Sequence, residues 1–387
     1  MARRKRAVVG AGVPAPGQDL SGPGISAAVG SGSTPTANWL FLGRDGRLTA
    51  YCSVPEGIAR WTESEPGSTR WIGPELFPVD DWTGYAVFSQ GSDGYVYFAG
   101  MRYREGAMGG REIVFATQFQ TGRPLSGWHV LGNPFRGEDD GTASERLGHP
   151  FIAADSSGAL HVFIHCLGHS VRTRRRDHGG NWEPWAGMDN RWVRTPLVAV
   201  PTSTGSIQAL ATYSKGVVHW ARDASDKAFR LLGRPAQPAV ELTHTGLETG
   251  PGSVTFYWRH PADGQVVAYR AQADGSNAPG VLTSLGGAAG EGPVGAVRAS
   301  INGYDCTVLV QRGAHGAPEV AAYPTEGEVY GTWWAPVGEA CVGWPAVQVD
   351  GMGRVVLATI RPDGSLWVTR QDMLDPGLAF ESWREVG

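Results

Sequence analysis

The stretch PAVQVDGMGRVVLATIRPDGSLWVTRQ at residues 345–371 decides the fold. It contains three short apolar runs, and the two turns between them carry Gly353 and Gly364. Short apolar runs bounded by turns rich in glycine, proline and aspartate are typical of β-strands joined as hairpins. The stretch therefore predicts three consecutive antiparallel strands.

The same pattern recurs along the chain, for example in PFIAADSSGALHVFIH at residues 150–165. In each copy a turn that ends in glycine leads into an apolar strand. These turn glycines are Gly46, Gly94, Gly158, Gly205, Gly252, Gly303 and Gly353. The intervals between them are 48, 64, 47, 47, 51 and 50 residues. Such a period indicates a chain built from copies of one unit.

A fourth strand that carries an aromatic residue and ends in glycine closes most units. Examples are RWIG at 70–73, WHVLG at 128–132, FRLLG at 229–233, WWAPVG at 333–338 and WREVG at 383–387. One small four-stranded sheet cannot bury both faces alone, whereas radial stacking of several sheets buries them. We therefore predict an all-β fold, a seven-bladed β-propeller of four-stranded antiparallel blades, with an irregular N-terminal arm. A β-sandwich is the main rival, but it would not require a repeat of about fifty residues.

The predicted domains are an arm at residues 1–36 and a propeller at residues 37–387. The arm is rich in Gly, Pro, Ser and Ala. This composition suits either a flexible segment or a segment that orders when it docks on a protein partner. A basic cluster at residues 3–6 precedes an apolar run that is interrupted by Gly10 and Gly12, which matches an ordinary cleaved export signal poorly. A cytoplasmic location is the default expectation, with non-classical export as the alternative.

Composition excludes several functional classes. Of the 387 residues, 56 are glycine and 26 are proline, and either residue disfavours long helices. No run of 18 apolar residues occurs, so no membrane span is expected. A formal net charge of −4 provides no basic field for nucleic acid.

The sequence offers weak candidates for metal binding. His161, His165 and His169 form the densest group of possible ligands. The first two would lie about 13 Å apart on one strand face, which is too far for a shared ion bound at about 2 Å. We predict no metal and no cofactor. The cysteines contain no C-x-x-C pair and are predicted to be free, buried thiols; they are Cys52, Cys166, Cys306 and Cys341.

No catalytic residue is predicted. The sequence lacks a G-x-S-x-G elbow and a phosphate loop. In RTRRRDHGGNW at residues 172–182, the residues from Asp177 to Trp182 resemble a degenerate Asp-box, a turn that stabilises structure in sialidase-like propellers. The arginines of this run could grip an anion or form a solvated strand edge. An enzyme with its active site at the central face of the propeller stays an alternative.

Aromatic residues recur near the ends of the third strands. They suit packing between blades, and they also suit stacking on the flat C–H faces of sugars, with nearby Arg, Asp and Asn binding hydroxyl groups. Both interpretations are open. The candidate ligand-binding residues are Trp61, Trp220, Trp367, Tyr269, Tyr323 and Arg270.

The repeat pattern P-h-A-h-D-x-x-G-x-L-x-V-F … D-G-x-h-W … W-x-x-h-G resembles that of bacterial seven-bladed propeller lectins, the PLL-type proteins that bind fucose and methylated sugars. The resemblance covers residues 37–387 and is best at 150–165 and 345–371. It implies a lectin-like propeller that binds a glycan or another small molecule without catalysis. The alternative to binding a ligand is an interaction scaffold that docks into a larger assembly through residues 1–36.

Overall fold

The computed structural model describes residues 18–19, 35–104, 110–135, 147–165, 170–188, 193–226, 228–270 and 280–387. Seven antiparallel sheets follow one another along the chain, and each contains four consecutive strands. The first strands of neighbouring sheets contact one another and line the centre of a ring. The predicted seven-bladed propeller is therefore confirmed.

The blades contain short strands that run in chain order from the centre of the ring to its rim. Blade 1 consists of Leu40–Leu42, Leu48–Val54, Gly57–Glu63 and Trp71–Pro78. Blade 2 consists of Trp82–Gln90, Val96–Tyr103, Arg111–Gln118 and His129–Gly132. Blade 3 consists of Phe151–Ala154, Leu160–His165, Val171–Arg176 and Ala186–Met188. Blades 4 and 5 consist of Val198–Pro201, Ile207–Tyr213, Gly216–Arg222 and Arg230–Gly233; and of Thr245–Gly250, Ser253–Arg259, Val266–Arg270 and Val281–Ser284. Blades 6 and 7 consist of Glu291–Ile301, Tyr304–Arg312, Pro318–Pro324 and Ala335–Pro336; and of Val342–Val349, Val355–Ile360, Leu366–Arg370 and Arg384–Val386. A short 3-10 helix at Glu328–Tyr330 precedes the last strand of blade 6.

The repeated glycines have one backbone conformation. All seven have φ between 75° and 89°, a region that residues with a Cβ rarely adopt. Each sits in the turn between the first and second strands. In blade 3 the Gly158 N–H donates to the Asp155 carbonyl at 2.9 Å, and in blade 7 the Gly353 N–H donates to Asp350 at 3.0 Å. The turn geometry therefore explains why glycine recurs while the strand residues vary.

The core lies between the blades rather than within any one of them. Tyr51 of blade 1 packs edge-on against Phe98 of blade 2 at 5.0 Å between ring centroids. Burial of each large apolar side chain stabilises the fold by roughly 1.5–3 kcal/mol. Cys52, Cys306 and Cys341 are buried thiols, as predicted, and the first two belong to these layers. Cys166 lies outside the described residues.

Blade 7 closes the ring on blade 1 through a buried ion pair. The Arg370 Nη2 donates to the Glu63 Oε1 at 2.6 Å, and the two side chains are 4% and 0% exposed. The same nitrogen donates to the Ser68 carbonyl at 2.7 Å, and the other Glu63 oxygen accepts the Leu48 N–H at 2.7 Å. Both charges are therefore paired and hydrogen-bonded, as buried charges require.

Part of the predicted arm extends blade 1. Gln18–Asp19 pairs antiparallel with Leu76 and Glu75 of the fourth strand. The rest of residues 1–34 lies outside the described residues, so the boundary of the arm stays a prediction. In the part of the chain that the structure describes, no helix is long and apolar enough to cross a membrane.

We expect Glu63→Gln to lower the free energy of unfolding by about 3 kcal/mol or more, because it leaves the buried Arg370 charge without its partner. The matched control is Asp305→Asn, which breaks an ion pair between Asp305 and Arg298. Their side chains are 51% and 40% exposed, respectively. That change should cost less than about 1 kcal/mol. Urea unfolding of the parent protein and the two variants measures both losses of stability. Equal losses in the two variants would contradict the role of the Arg370–Glu63 pair in closing the ring.

Candidate functional site

Most of the predicted ligand-binding aromatics are buried between blades. The rings of four of them are at most 4% exposed; these are Trp61, Trp220, Tyr269 and Tyr323. Gly73 and Gly387 both lie against Trp61. These four residues therefore pack in the core and offer no exposed ring face in this structure. Trp367 and Arg270 are only half-buried and reach the surface.

Arg270 belongs to a polar cluster between blades 5 and 6. Its Nη2 lies 2.9 Å from an oxygen of Glu328, a residue that is 3% exposed. The Tyr323 hydroxyl lies 2.8 Å from that of Tyr257, and burial raises the pKa of Tyr323. The charge of Arg270 is thus compensated within the protein, and its role in ligand binding stays a prediction.

Trp367 belongs to a half-exposed group that we call the blade 6–7 cluster, formed by Glu339, Arg361, Ser365 and Trp367. The Arg361 guanidinium carbon lies 3.6 Å from the centroid of the Trp367 ring. The Arg361 Nη1 lies 2.6 Å from the Glu339 Oε2, with side-chain exposures of 21% and 74%. The indole N–H donates to the Ser365 hydroxyl at 2.8 Å. The cluster therefore brings an aromatic ring, a guanidinium, a carboxylate and a hydroxyl together at one cleft.

A tight hairpin turn positions this cluster. The Gly364 N–H donates to the Arg361 carbonyl at 2.9 Å, and Gly364 has φ 82°. The Asp363 carboxylate accepts the Ser365 N–H at 2.9 Å and its hydroxyl at 2.6 Å. Hydrogen bonds from Ser365 lower the pKa of Asp363. The turn residues Pro362, Asp363 and Gly364 therefore fix both Arg361 and Ser365.

Trp367 projects toward blade 6. Its strand neighbours Leu366 and Val368 pack with blade 1, and side chains alternate between the two faces of a strand. Trp383 lies next to Gly338 and packs with residues of blades 6 and 7. The indole N–H of Trp383 is buried without a hydrogen-bond acceptor among the described residues. Both tryptophans thus belong to the same interblade cleft.

Sequence reasoning named Trp367 as a candidate but named neither Glu339 nor Arg361. The two residues are far apart in the chain, in the connection after blade 6 and in a turn of blade 7. Neither belongs to a repeated motif. A charged residue directly after the closing glycine of a unit, as in Gly338-Glu339, is the one signal that could have indicated a charge at this cleft.

The histidines considered for metal binding lie in separate surroundings. His161 is 1% exposed, and its Nε2 lies 3.4 Å from the Asp155 Oδ2. His165 is buried, and burial lowers its pKa to about 4. His169 lies outside the described residues. Among the residues that the structure describes, no group of three His, Cys, Asp or Glu could hold a metal ion.

The first strands enclose a cavity of about 200 Å³ at the centre of the ring. Its walls include the small residues Ala37, Ala199, Gly246 and Gly295. Among the described residues that line it, His244 is the one titratable group. Burial lowers the pKa of His244 to about 4. The described lining therefore lacks the paired titratable groups that hydrolysis of a sugar or an ester requires.

No protein-family model and no curated protein sequence matches this chain. The BP39L lectin from Burkholderia pseudomallei shares the fold, with a TM-score of 0.62 and 12% identity over 89% of this chain and 97% of that one. AofleA from Arthrobotrys oligospora has a TM-score of 0.52 and 8% identity, over 79% of this chain and 87% of that one. The Hadza microbial sialidase Hz136 has a TM-score of 0.51 and 11% identity, over 82% of this chain and 71% of that one. The resemblance to propeller lectins is thus confirmed at the level of the fold, which is all that these identities show.

We expect stability to fall as the pH drops from 6.5 toward 4. Burial lowers the pKa of His165 and that of His219 from 6.5 to about 4, so the unfolded chain binds their protons first. Protonation of each histidine in the unfolded chain then lowers the free energy of unfolding by about 2 kcal/mol between neutral pH and pH 5. Above pH 6.5 both histidines are neutral in the unfolded chain too, and this loss is absent.

Urea unfolding at pH 7 and pH 5 measures this loss. His219→Gln should reduce the difference between the two pH values by about 2 kcal/mol, because glutamine does not titrate. A variant that keeps the full pH dependence of the parent protein would contradict the assignment.

Proposed function

We propose that this protein is a carbohydrate-binding propeller without catalysis and that the blade 6–7 cluster binds a sugar. The observation that carries the proposal is the half-buried Trp367 ring, which lies beside the ion pair of Arg361 and Glu339. A lone exposed tryptophan would suggest little. Here the ring, the charges and the hydroxyl of Ser365 lie together.

These groups match the two surfaces of a pyranose, which would pack on the face of the Trp367 ring opposite Arg361. The C–H face of a sugar packs on an aromatic ring, while its hydroxyl groups need both donors and acceptors. Arg361 supplies donors only and Glu339 supplies acceptors only. Because the ion pair and the Ser365 bond already restrain these side chains, their ordering on binding costs little.

Charge balance favours an uncharged sugar at this cluster. Arg361 is compensated by Glu339 at 2.6 Å, and Asp363 adds a further carboxylate beside Ser365. An acidic ligand would meet net negative charge and would have to compete with Glu339 for the guanidinium. Neutral hydroxyl-rich ligands avoid both costs.

The comparison with BP39L supports the proposal at the level of the fold, since that protein is a lectin. The central cavity gives no support to the enzyme alternative, because His244 is the single titratable group in the part of its lining that the structure describes. The absence of a family match leaves the sugar-binding proposal to rest on the cluster itself.

An interaction scaffold is the second candidate function. Loops of blades 6 and 7 expose large apolar side chains, of which Tyr330, Trp333 and Leu374 are 82%, 84% and 95% exposed. Exposed apolar groups of this size are typical of surfaces that contact other proteins. The predicted docking segment, residues 1–36, is described only at residues 18–19 and 35–36.

We expect Trp367→Ala to weaken the binding of neutral sugars at least tenfold, because it removes the stacking surface; tenfold corresponds to about 1.4 kcal/mol. Arg361→Ala should weaken it as well. Titration calorimetry against methyl glycosides, methyl α-L-fucoside among them, measures the dissociation constants.

Trp333→Ala is the matched control, since it removes an exposed tryptophan outside the cluster. It should leave sugar affinity within twofold of the parent value. Unchanged binding in Trp367→Ala would reject the site. If the parent protein binds no glycan on a broad array, the carbohydrate-binding function itself is wrong.

A further inference from the structure

A second group of arginine and tryptophan side chains lies between blades 2 and 3. We call it the blade 2–3 cluster; it is formed by Arg174, Arg176, Trp182 and Trp185. The Arg174 guanidinium carbon lies 5.6 Å from the Trp182 ring centroid and 5.9 Å from that of Trp185. The Arg176 guanidinium lies 5.6 Å from the ring of Phe115 in blade 2. All four members of the cluster are half-buried.

The local fold explains this arrangement. Arg174 and Arg176 alternate with Arg175 along the third strand of blade 3 and so share one face. The Asp-box-like turn brings Trp182 back to that face, since the Asp177 carboxylate accepts the Asn181 N–H at 2.8 Å. Trp182 then packs edge-on against Phe115 at 5.1 Å, so the turn performs the structural role predicted for it.

Backbone carbonyl groups hold the two guanidinium groups in place. The Arg174 Nε donates to the Glu183 carbonyl at 2.8 Å, and its Nη1 donates to the Leu131 carbonyl at 3.0 Å. The Arg176 Nε donates to the Gly180 carbonyl at 3.2 Å. Carbonyl groups orient a guanidinium without neutralising its charge. These hydrogen bonds therefore pre-orient both guanidinium groups.

The carboxylates of Glu183 and Asp93 bind other side chains. Glu183 pairs with Arg175 at 3.0 Å, and Asp93 accepts the Tyr97 hydroxyl at 2.6 Å. Within the described residues, no carboxylate oxygen lies within 4 Å of Arg174 or Arg176.

Several other half-buried and buried arginines have a carboxylate partner, although the buried Arg259 is held by backbone carbonyl groups and Gln311. Examples are Arg270 with Glu328, Arg361 with Glu339 and Arg370 with Glu63. Arg174 and Arg176 differ from these residues because they lie beside aromatic rings and no carboxylate of the described residues compensates their charge. Such a charge is stabilised when an anion binds.

The two clusters pair an arginine with a tryptophan at different positions in their blades. Arg174 on the third strand of blade 3 lies over Trp185, which precedes the fourth strand, whereas Arg361 in a turn of blade 7 lies over Trp367 on the third strand. In both clusters an arginine lies over a tryptophan in the cleft toward the preceding blade. They differ in charge, because only the blade 6–7 cluster contains an acidic partner for its arginine.

We propose that the blade 2–3 cluster is a second sugar site and that it selects a sugar bearing a carboxylate. This inference rests on the proposed carbohydrate-binding function and adds the class of ligand. The planar carboxylate would accept hydrogen bonds from the Nη groups of Arg174 and Arg176. The sugar ring would pack against Trp182 or Trp185.

Titration calorimetry with matched ligands tests the selection. The ligands are methyl α-D-galacturonide, its neutral methyl ester and methyl α-D-galactoside. We expect the galacturonide to bind at least tenfold more tightly than either neutral ligand. Added sodium chloride should weaken the binding of the acid more than that of the neutral sugars. Equal affinities for the acid and its ester would overturn the proposal.

Arginine variants locate the site. Arg174→Gln and Arg176→Gln should each weaken galacturonide binding at least tenfold, while binding of neutral sugars at the blade 6–7 cluster stays within twofold. Arg174→Lys keeps the charge and loses the planar fork, so we expect an intermediate loss in a folded protein. Arg298→Gln is the control for net charge, because it removes an exposed arginine that pairs with Asp305 in blade 6.

The outcomes separate the two proposals. If neutral sugars bind and the galacturonide binds no more tightly than they do, the proposed second site is wrong and the carbohydrate-binding function stands. If acid binding survives both glutamine variants, the blade 2–3 cluster is not the site. If neither kind of sugar binds the parent protein, the carbohydrate-binding function fails as well.

Discussion

The contact between the last blade and the first is the constraint on which the rest of this structure depends. Every blade buries its two faces against its neighbours, so an open ring would leave one face of blade 1 and one face of blade 7 in water. The buried pair of Arg370 and Glu63 closes this gap, together with the Trp39 indole N–H that donates to the Trp344 carbonyl at 2.8 Å. A closed ring in turn fixes the width of each cleft between blades, because stacked sheets pack at nearly constant spacing.

This closure explains how one scaffold can offer sites of different chemistry. The core layers hold each blade against the next, and the side chains at the rim are free to differ from cleft to cleft. Between blades 6 and 7, Glu339 compensates Arg361 beside Trp367. Between blades 2 and 3, backbone carbonyl groups hold Arg174 beside its tryptophans, and no carboxylate of the described residues compensates it. The difference in charge, rather than a difference in backbone, distinguishes the ligands that we propose for the two clefts.

The sequence predicted the seven blades because the turn glycines are set by local backbone geometry. Gly158 and Gly353 need a positive φ whatever surrounds them. Site residues were harder to predict, because exposure depends on residues distant in the chain. Trp61 and Trp367 both lie on third strands, yet Gly387 from blade 7 lies against the buried Trp61, while Trp367 is half-buried beside Arg361. No local pattern encodes that difference.

The central claim is that ligands bind between blades and not at the centre of the ring. A crystal structure of the protein with a bound neutral methyl glycoside tests this claim most directly. The account predicts density for the sugar against the Trp367 ring, within hydrogen-bond distance of Arg361 or Glu339. Density in the central cavity beside His244, with the blade 6–7 cluster empty, would contradict it.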